Sequence, residues 1–411
     1  MTLTILSPEE YQAHLKEVEQ VSFLQTKEMA ELLEKRGMKT QFVGLKKAGQ
    51  LRVSALLYSL PMTGGLHMEI NSGPVTNQPS DLPEFYRALQ EYAKNNGALR
   101  LLVKPYQTYQ TFDSDGKPIS DQASQLIRDL TDVGYVFDGL QTGYPGGEPD
   151  WHYVKDLSQL TQETLFSSFS KKGKVLAKKA NSFGIKVRAL TRDELPLFKS
   201  ITEATSDRRE YQDKSLEYYQ DFYDAFHTKA DFLFASINFQ DYLQHLEKQK
   251  ASLENHLQAI EQDLEVNPRS KKKQNEHREI SSQIQSFQIR EAEARDLLTQ
   301  YGQEDVPLAA SLFVYTDHEL VYLFSGSLTE FNKFYAPVVL QEYAMRKAIE
   351  LKIPFYTLLG ITGLFDGSDG VLRFKQNFNG FIVRKMGTFR YYPRPLKFKV
   401  LQSIKRIIGR N

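Results

Sequence analysis

The chain of 411 residues contains no cysteine, and its formal net charge is only +1. The lack of cysteine excludes disulfide frameworks, thiolate metal sites and cysteine nucleophiles, and it is compatible with a reducing compartment. The near-zero charge means that the molecule as a whole does not attract nucleic acid. Any basic surface must therefore be local.

Long hydrophobic runs are also missing. The longest candidate, VSALLYSLPM, is interrupted by two serines and a proline, and it falls short of the ~20 apolar residues of a membrane span. The first residues, MTLTILSPEEYQ, lack the basic start and apolar core of a signal peptide. We therefore expect a cytoplasmic protein. The C-terminal segment YYPRPLKFKVLQSIKRIIGRN predicts either a packed helix or a helix in peripheral contact with the cytoplasmic face of the membrane.

Familiar cofactor and catalytic motifs do not occur. The histidines are scattered without metal-ligand spacing, and DSDG at 113–116 lacks the rest of a calcium loop. No GxSxG elbow, P-loop or dinucleotide fingerprint is present. The sequence therefore predicts no metal, no cofactor and no covalent nucleophile.

Two separated segments share one order of elements: strand, turn, strand ending in glycine, helix, hydrophobic strand. The pentapeptide LQEYA occurs on the predicted helix of both, at Leu89–Ala93 and Leu340–Ala344. This order predicts an α+β protein with two related halves.

Between the halves, apolar residues recur at spacings built from threes and fours on both sides of a polar turn at Pro268. Lys250 and Glu291 each occupy a position where the apolar series has a gap. The pattern predicts an antiparallel helical hairpin whose arms project roughly 40 Å. The predicted domains are 1–154, then 155–241 together with 304–411, with the hairpin at 242–303 and the C-terminal tail able to pack on the first half.

Two groups of basic residues are candidate RNA or phosphate contacts. The segment SFSKKGKVLAKKANSFGIKV predicts a helix with core contacts from Val175 and Leu176, whose lysines either face solvent or follow a phosphate backbone. In ATSDRREYQ, Arg208 and Arg209 predict either a salt-bridged turn or a fork onto phosphate or carboxylate. The lysines of the helix and of the hairpin tip are Lys171, Lys172, Lys174, Lys178, Lys179, Lys271, Lys272 and Lys273.

The segment GVLRFKQNF, after the turn DGSDG, places Lys375 between Phe374 and Phe378. One interpretation is a solvated lysine on an amphipathic segment. The other is a fixed cation that meets negative charge developing in an active site.

Together these features resemble the Fem family of aminoacyl-tRNA-dependent peptidyltransferases, which build the interpeptide branches of peptidoglycan. GITGLF…GVLRFKQNFNGFIVRKMGTF is the most specific stretch, and LLVKPYQTYQTFDSDG is similar to the streptococcal MurM-like and MurN-like members. The resemblance implies two GNAT-like domains with a coiled-coil arm inserted in the second. It also implies transfer of Ala or Ser from aminoacyl-tRNA to an amine of lipid II or branched lipid II. The choice of amino acid and of first or second addition stays open.

The resemblance assigns roles to some residues. The Phe-Lys motif falls on Phe374 and Lys375, which implies that the lysine stabilises the oxyanion of the transfer reaction. A phosphate-binding arginine falls on Arg208, with Arg209 as the alternative.

The family's entry-segment lysine falls on Leu33, so Lys35 or Arg36 would replace it, and Tyr322 is a further candidate for substrate binding. Before Pro105 this chain has Lys104, where some relatives have an acid.

Two other functions remain open at this stage. A CoA-dependent N-acyltransferase would need a pyrophosphate loop of the type Q/R-x-x-G-x-G/A, which neither half contains. A non-catalytic coiled-coil adaptor would explain the hairpin, but not the paired halves or the Phe-Lys motif.

Overall fold

The computed structural model describes residues 3–209 and 211–407. Two β-sheets are covered by helices and share a hydrophobic core. Within the described ranges, no helix has the length and apolar character needed to cross a bilayer. Arg410 of the basic tail lies outside the described residues.

The strands of the described residues form one sheet of seven and one of eight. They are β1 (Thr4–Ile5), β2 (Lys39–Lys47), β3 (Gln50–Met62), β4 (Gly65–Asn71), β5 (Ala98–Lys104), β6 (Thr108–Phe112), β7 (Val136–Phe137), β8 (Trp151–Asp156), β9 (Lys186–Ala189), β10 (Ala230–Asn238), β11 (Asp305–Tyr315), β12 (Glu319–Ser327), β13 (Phe355–Ile361), β14 (Phe381–Lys385) and β15 (Phe389–Tyr391). The first sheet has the order β1-β2-β3-β4-β5-β15-β7, and the second has the order β6-β14-β8-β13-β12-β11-β10-β9.

The α-helices of the described chain cover both sheets and form the arm. They are α1 (Pro8–Glu17), α2 (Lys27–Lys35), α3 (Leu82–Asn95), α4 (Ser124–Thr131), α5 (Lys171–Asn181), α6 (Leu195–Arg209), α7 (Leu216–Phe226), α8 (Phe239–Val266), α9 (Lys271–Tyr301), α10 (Ala336–Glu350), α11 (Gly370–Lys375) and α12 (Pro395–Ile407).

The repeated order of elements is present in both sheets. In the first half an antiparallel β3–β4 pair is followed by α3 and then by β5, which is parallel to β4. In the second half β11 and β12 are antiparallel, and α10 leads to β13, which is parallel to β12. Leu89 and Ala93 of α3, and Leu340 and Ala344 of α10, are buried. The pentapeptide is therefore the core-facing part of the crossover helix in each half.

The two halves exchange strands, which the predicted boundaries did not anticipate. β6 pairs with β14 in the second sheet, while β15 returns to pair with β5 in the first. The expected boundary at residue 154 falls inside β8, and all of β8 belongs to the second sheet. The Gly- and Pro-rich loop before β8 connects β7 of the first sheet to β8 of the second. The C-terminal segment packs on the first half, since α12 contacts β5.

The arm consists of α8 and α9, and it begins three residues earlier than the sequence predicts. Asn238 ends β10 and caps α8, because its side-chain oxygen accepts hydrogen bonds from the backbone of Gln240 and Asp241. The two polar residues that interrupt the apolar series form an ion pair: Lys250 Nζ lies 2.7 Å from Glu291 Oε2. The Glu291 side chain is only 3% exposed, so this pair fixes the register of the two helices.

Replacing Lys250 by Met should destabilise the arm by about 1–3 kcal/mol, because the Glu291 carboxylate loses its partner in a covered position. Hydrogen exchange of α8 and α9 is the measurement. Lys248→Met, at an exposed position two residues away, is the matched control and should have little effect. Adding Glu291→Leu to Lys250→Met should restore most of the protection; a double variant as unstable as the sum of the singles would contradict the pairing.

A buried carboxylate joins the two halves. Glu319 at the start of β12 accepts hydrogen bonds from Phe23 N (3.1 Å), Tyr106 Oη (2.6 Å) and Thr357 Oγ1 (2.7 Å). Burial raises the pKa of Glu319, while these hydrogen bonds act in the opposite direction. Because two of the donors come from the first half and one from the second, residues of both halves are held in fixed relation and can form one site.

Candidate functional site

The second sheet opens between its two parallel central strands. The ladder between β12 and β13 ends at the pair Val321–Thr357, although β12 continues to Ser327 and β13 to Ile361. Beyond this pair, β12 has a bulge in its pairing with β11, and β13 has a bulge in its pairing with β8. The resulting β12–β13 cleft lies at the carboxyl ends of parallel strands, where open α/β sheets bind ligands.

Lys375 is held against the separated part of β13. Its Nζ donates hydrogen bonds to the carbonyl oxygens of Leu359 (3.0 Å) and Gly360 (2.5 Å), and the residue is 3% exposed. Leu359 has a φ of 54°, which places the two carbonyl groups outside the regular ladder. Burial lowers the pKa of Lys375 to about 7, and Asp369 acts in the opposite direction. The cation is thus fixed, dry and close to neutralisation at physiological pH.

The turn before Lys375 positions its helix. Asp369 caps α11, because its Oδ1 accepts hydrogen bonds from Val371 N and Leu372 N. Its Oδ2 accepts from the backbone and hydroxyl groups of Thr362, at the end of β13. The acidic residue of DGSDG therefore joins α11 to β13 and determines where Lys375 lies.

The aromatic neighbours of Lys375 pack mainly on each other. The rings of Phe374 and Phe378 meet edge to face at 5.5 Å, and Phe378 meets Phe169 at the same distance. They cover the interior beneath α11, while the ammonium group is held by backbone carbonyl groups.

A loop connects this region to the first sheet. Gly360 is closely covered by the loop before β8: a Cβ atom at this glycine would lie 2.7 Å from Pro149 and 2.9 Å from Tyr144. Glu148 of the same loop accepts a hydrogen bond from Lys104 at the end of β5 (2.8 Å). The loop thus brings the end of β5 close to the bulge of β13.

The ends of β4 and β5 carry a charged cluster. Lys104 Nζ also lies 3.0 Å from Glu69 Oε1, and His67 Nε2 lies 3.1 Å from Glu69 Oε2. Burial would raise the pKa of Glu69, but the His67 hydrogen bond and the charge of Lys104 outweigh it and lower the pKa to about 2. Asn71 pairs with Lys104 in the parallel ladder and donates to Glu148. The sequence analysis missed Glu69: the carboxylate absent at position 104 is supplied by the neighbouring strand.

The end of α2 presents an arginine toward the cleft. Leu33 is buried in the core and is unable to bind substrate. The Arg36 guanidinium lies 5.1 Å from the ring centre of Tyr218, whose ring meets Phe324 on the separated part of β12. A hydrogen bond from Arg192 lowers the pKa of Asp224, and the charge of Lys35 lowers it further. Lys35 therefore interacts with Asp224 and not with the cleft.

Of the two arginines that end α6, Arg209 is the one whose charge affects a residue of the cleft, Tyr322. Arg208 donates to Ser327 O (3.4 Å) and to the Thr329 hydroxyl group, so its guanidinium is engaged by the chain itself. Burial raises the pKa of Tyr322, the first residue of β12 beyond the ladder, and Arg209 acts in the opposite direction. Tyr322 donates to Ser325 Oγ (2.6 Å).

The predicted basic helix is α5, and one of its two expected core contacts is formed. Leu176 packs against the hydrophobic core, whereas Val175 is 69% exposed and lies among the lysines. The buried residues of the helix are Gly173, Ala177 and Ala180. A Cβ atom at Gly173 would lie 1.9 Å from Asn377 O, so glycine allows α5 to begin directly against the Phe374–Phe378 segment. The exposed or half-exposed lysines of this helix are Lys171, Lys172, Lys174, Lys178 and Lys179.

The tip lysines lie at the far end of the arm. Lys271 and Lys272 are exposed, whereas Lys273 pairs with Asp263 (2.8 Å) and Glu276 (3.5 Å). Among the described residues, no group of three or more His, Asp or Glu side chains has the arrangement of a metal site.

Comparison with known proteins identifies the family. The FemAB family model matches residues 6–406. The chain belongs to the FemAB family. Aminoacyltransferase FemA from Staphylococcus aureus strains bovine RF122 / ET3-1 and NCTC 8325 / PS 47 is 27% identical over 398 residues, which cover 95% of this chain and 94% of FemA. These relatives confirm that the FemAB chain is an aminoacyltransferase.

A solved structure supports the fold. The crystal structure of FemX matches with a TM-score of 0.78 at 19% identity, covering 96% of this chain and 98% of FemX. The expected α+β class, with two related halves and an inserted helical hairpin, is confirmed.

Proposed function

We propose that this FemAB aminoacyltransferase moves Ala or Ser from aminoacyl-tRNA to an amine of the lipid II stem peptide, or of its first branch residue, in peptidoglycan branching. The observation that carries the proposal is the dry, fixed ammonium group of Lys375 beside a cleft that residues of both halves surround. An aminoacyl ester is already activated, so this transfer requires neither a covalent enzyme intermediate nor a metal.

The reaction joins the acceptor nitrogen to the ester carbonyl carbon and then breaks the bond to the ribose oxygen. The oxyanion that forms between these steps is stabilised by Lys375. Two of its three ammonium hydrogens are bound by Leu359 and Gly360, which leaves one for the substrate. Because the group is already oriented and dehydrated, it needs no reorganisation when the charge develops. The acceptor ammonium group loses one proton before attack. Its nitrogen loses a second proton as the amide forms, which balances the proton that the ribose oxygen gains on leaving.

The charged cluster on the first sheet suits the acceptor. Glu69 remains ionised because its pKa is about 2, so together with Glu148 it attracts the ammonium form of the acceptor amine. Arg36 and Arg209 supply cations on the two sides of the cleft, and they suit the phosphate groups of a lipid-linked precursor.

The C-terminal helix supports contact with the membrane in which such a precursor resides. Leu396, Val400 and Ile404 are exposed at four-residue spacing on α12, which places them on one face of the helix. Lys397 and Lys399 are exposed on the same helix. An exposed apolar face flanked by lysines is typical of helices that lie on anionic lipid.

Arg36→Ala should raise the KM for the lipid-linked acceptor by about tenfold, because a charge-assisted contact to phosphate is lost. The KM for aminoacyl-tRNA should stay unchanged. Lys35→Ala is the matched control, since Lys35 lies one residue away and acts on Asp224. Steady-state kinetics with varied acceptor make the comparison; equal effects of the two substitutions would contradict the assignment of Arg36.

The test of the proposed function combines the purified enzyme with Ala-tRNA or Ser-tRNA and with unbranched or singly branched lipid II. Mass spectrometry of the products should show one added residue in at least one of the four combinations, and it identifies donor and acceptor together. Absence of a product in all four, or consumption of acetyl-CoA in their place, would overturn the proposal.

A further inference from the structure

A second cavity lies at the root of the arm, away from the β12–β13 cleft. Its volume is about 330 Å³, which is within the range of small-ligand pockets. Elements from three parts of the chain meet there: the end of α5, the bases of α8 and α9, and the turn after β12. The residues that determine its chemistry are Lys179, Phe183, Tyr242, Arg290, Lys333 and Phe334.

Arg290 forms the cationic wall of this arm-root pocket. Its guanidinium carbon lies 5.4 Å from the ring centre of Phe183 and 5.7 Å from that of Tyr242. Nε donates to Tyr242 Oη at 3.2 Å, while Nη2 is covered and has no hydrogen-bond partner within the described residues. The guanidinium is therefore held by aromatic faces and keeps donor capacity for an anionic ligand.

Two lysines complete the charge of the pocket. Lys179 Nζ lies 5.1 Å from the ring centre of Tyr335, and Lys333 Nζ lies 3.2 Å from Glu293 Oε2. Three cations and one carboxylate leave an excess of positive charge beside buried aromatic rings. Cations held in fixed positions are the features that bind the phosphate groups of a nucleic-acid backbone.

We propose that the arm-root pocket binds the phosphate group of one nucleotide unit, on Arg290, Lys179 and Lys333. This inference rests on the proposed function, because the nucleotide is assigned to the donor RNA.

The direction of α5 supports that assignment. The helix begins against Asn377 in the Phe374–Phe378 segment, and Lys179 in its last turn lines the pocket. Its 11 residues span about 15 Å, the length of a few nucleotides. Lysines follow the exposed side of this path. An RNA strand whose aminoacylated end lies at Lys375 would thus reach the pocket a few nucleotides upstream.

The experiment measures binding of an acceptor-stem RNA hairpin with a single-stranded 3′ end to the full-length enzyme by fluorescence anisotropy. Lys179→Ala/Lys333→Ala and Arg290→Met should each weaken binding by about tenfold, and the double substitution should reduce the dependence on log[salt] by about 1–2. Lys248→Ala/Arg278→Ala, at exposed positions elsewhere on the arm, should have less than a twofold effect. Circular dichroism checks that each variant is folded.

A second measurement identifies the nucleotide. Single uncharged methylphosphonate linkages in the 3′ end should include one that weakens binding to the wild type about tenfold and has no further effect on Arg290→Met. If the wild type transfers the aminoacyl group but no pocket variant changes RNA binding, the pocket inference is wrong and the proposed function stands. If no RNA binds to the wild type, both fail. Binding of free AMP or CMP that depends on Arg290, with no change in RNA binding, would overturn the assignment to RNA.

Discussion

Lys375→Met is expected to lower kcat for aminoacyl transfer by about 10²–10³, the usual cost of removing one donor to an oxyanion. The KM values for donor and acceptor should change little, because the ammonium group interacts with charge that develops only after attack. Single-turnover kinetics with aminoacyl-tRNA and the lipid-linked acceptor measure the effect. Arg373→Met removes an exposed charge from the same helix and should leave kcat within about threefold.

The stability of the same variant has a defined pH dependence. The pKa of Lys375 is lowered from 10.5 to about 7, so between these values the unfolded chain binds a proton that the folded protein does not. Wild-type stability must therefore rise with pH in this window, relative to Lys375→Met. The difference in the free energy of unfolding should shift in favour of the wild type by about 2–3 kcal/mol between pH 7 and pH 9.

These two measurements separate a catalytic role from a structural one. A folded Lys375→Met enzyme with near-normal transfer would contradict the role of Lys375 in catalysis, whatever its stability. A difference in unfolding free energy that does not vary between pH 7 and pH 9 would show that folding does not lower the pKa of Lys375, and therefore that its ammonium group is not desolvated. Chemical denaturation of both proteins at each pH provides the second measurement.

The sequence predicted those features that local patterns determine. The sustained apolar series predicts the arm, and the sequence also shows that Lys250 and Glu291 interrupt this series. That the two residues pair with each other requires the register of the helices, which only the folded arm supplies. Likewise the order of strand, helix and strand identified two related halves, because each half buries its own crossover helix.

The exchanged strands and the charged cluster could not be predicted in this way. β6 and β15 are short strands whose partners lie far away along the chain. Their local sequence does not indicate which sheet they join. Glu69 lies on a strand whose sequence has no unusual feature. Its role depends on Lys104, which lies on the neighbouring parallel strand. At the end of α2 a single residue decides between Lys35 and Arg36, since adjacent residues of a helix point about 100° apart.

Reversing the charge of Lys171, Lys172 and Lys174 is expected to weaken binding of tRNA by about 10–10², because each lysine that contacts a phosphate releases a bound counterion. The slope of log affinity against log[salt] should fall by about 2–3, since each contact contributes about 0.7–0.9. The folded structure should tolerate these changes, because α5 packs through Gly173, Ala177 and Ala180. Anisotropy titrations at several salt concentrations give both quantities.

The control for this prediction must change the net charge equally without touching the proposed RNA path. Lys16, Lys27 and Lys94 are exposed residues of the first half, and their reversal should reduce affinity far less and leave the slope nearly unchanged. The near-zero net charge of the chain makes the comparison informative, because no general attraction to RNA masks a local one. If both triple variants weaken binding equally, α5 is a solvated helix face, and the donor RNA approaches the β12–β13 cleft over a different surface.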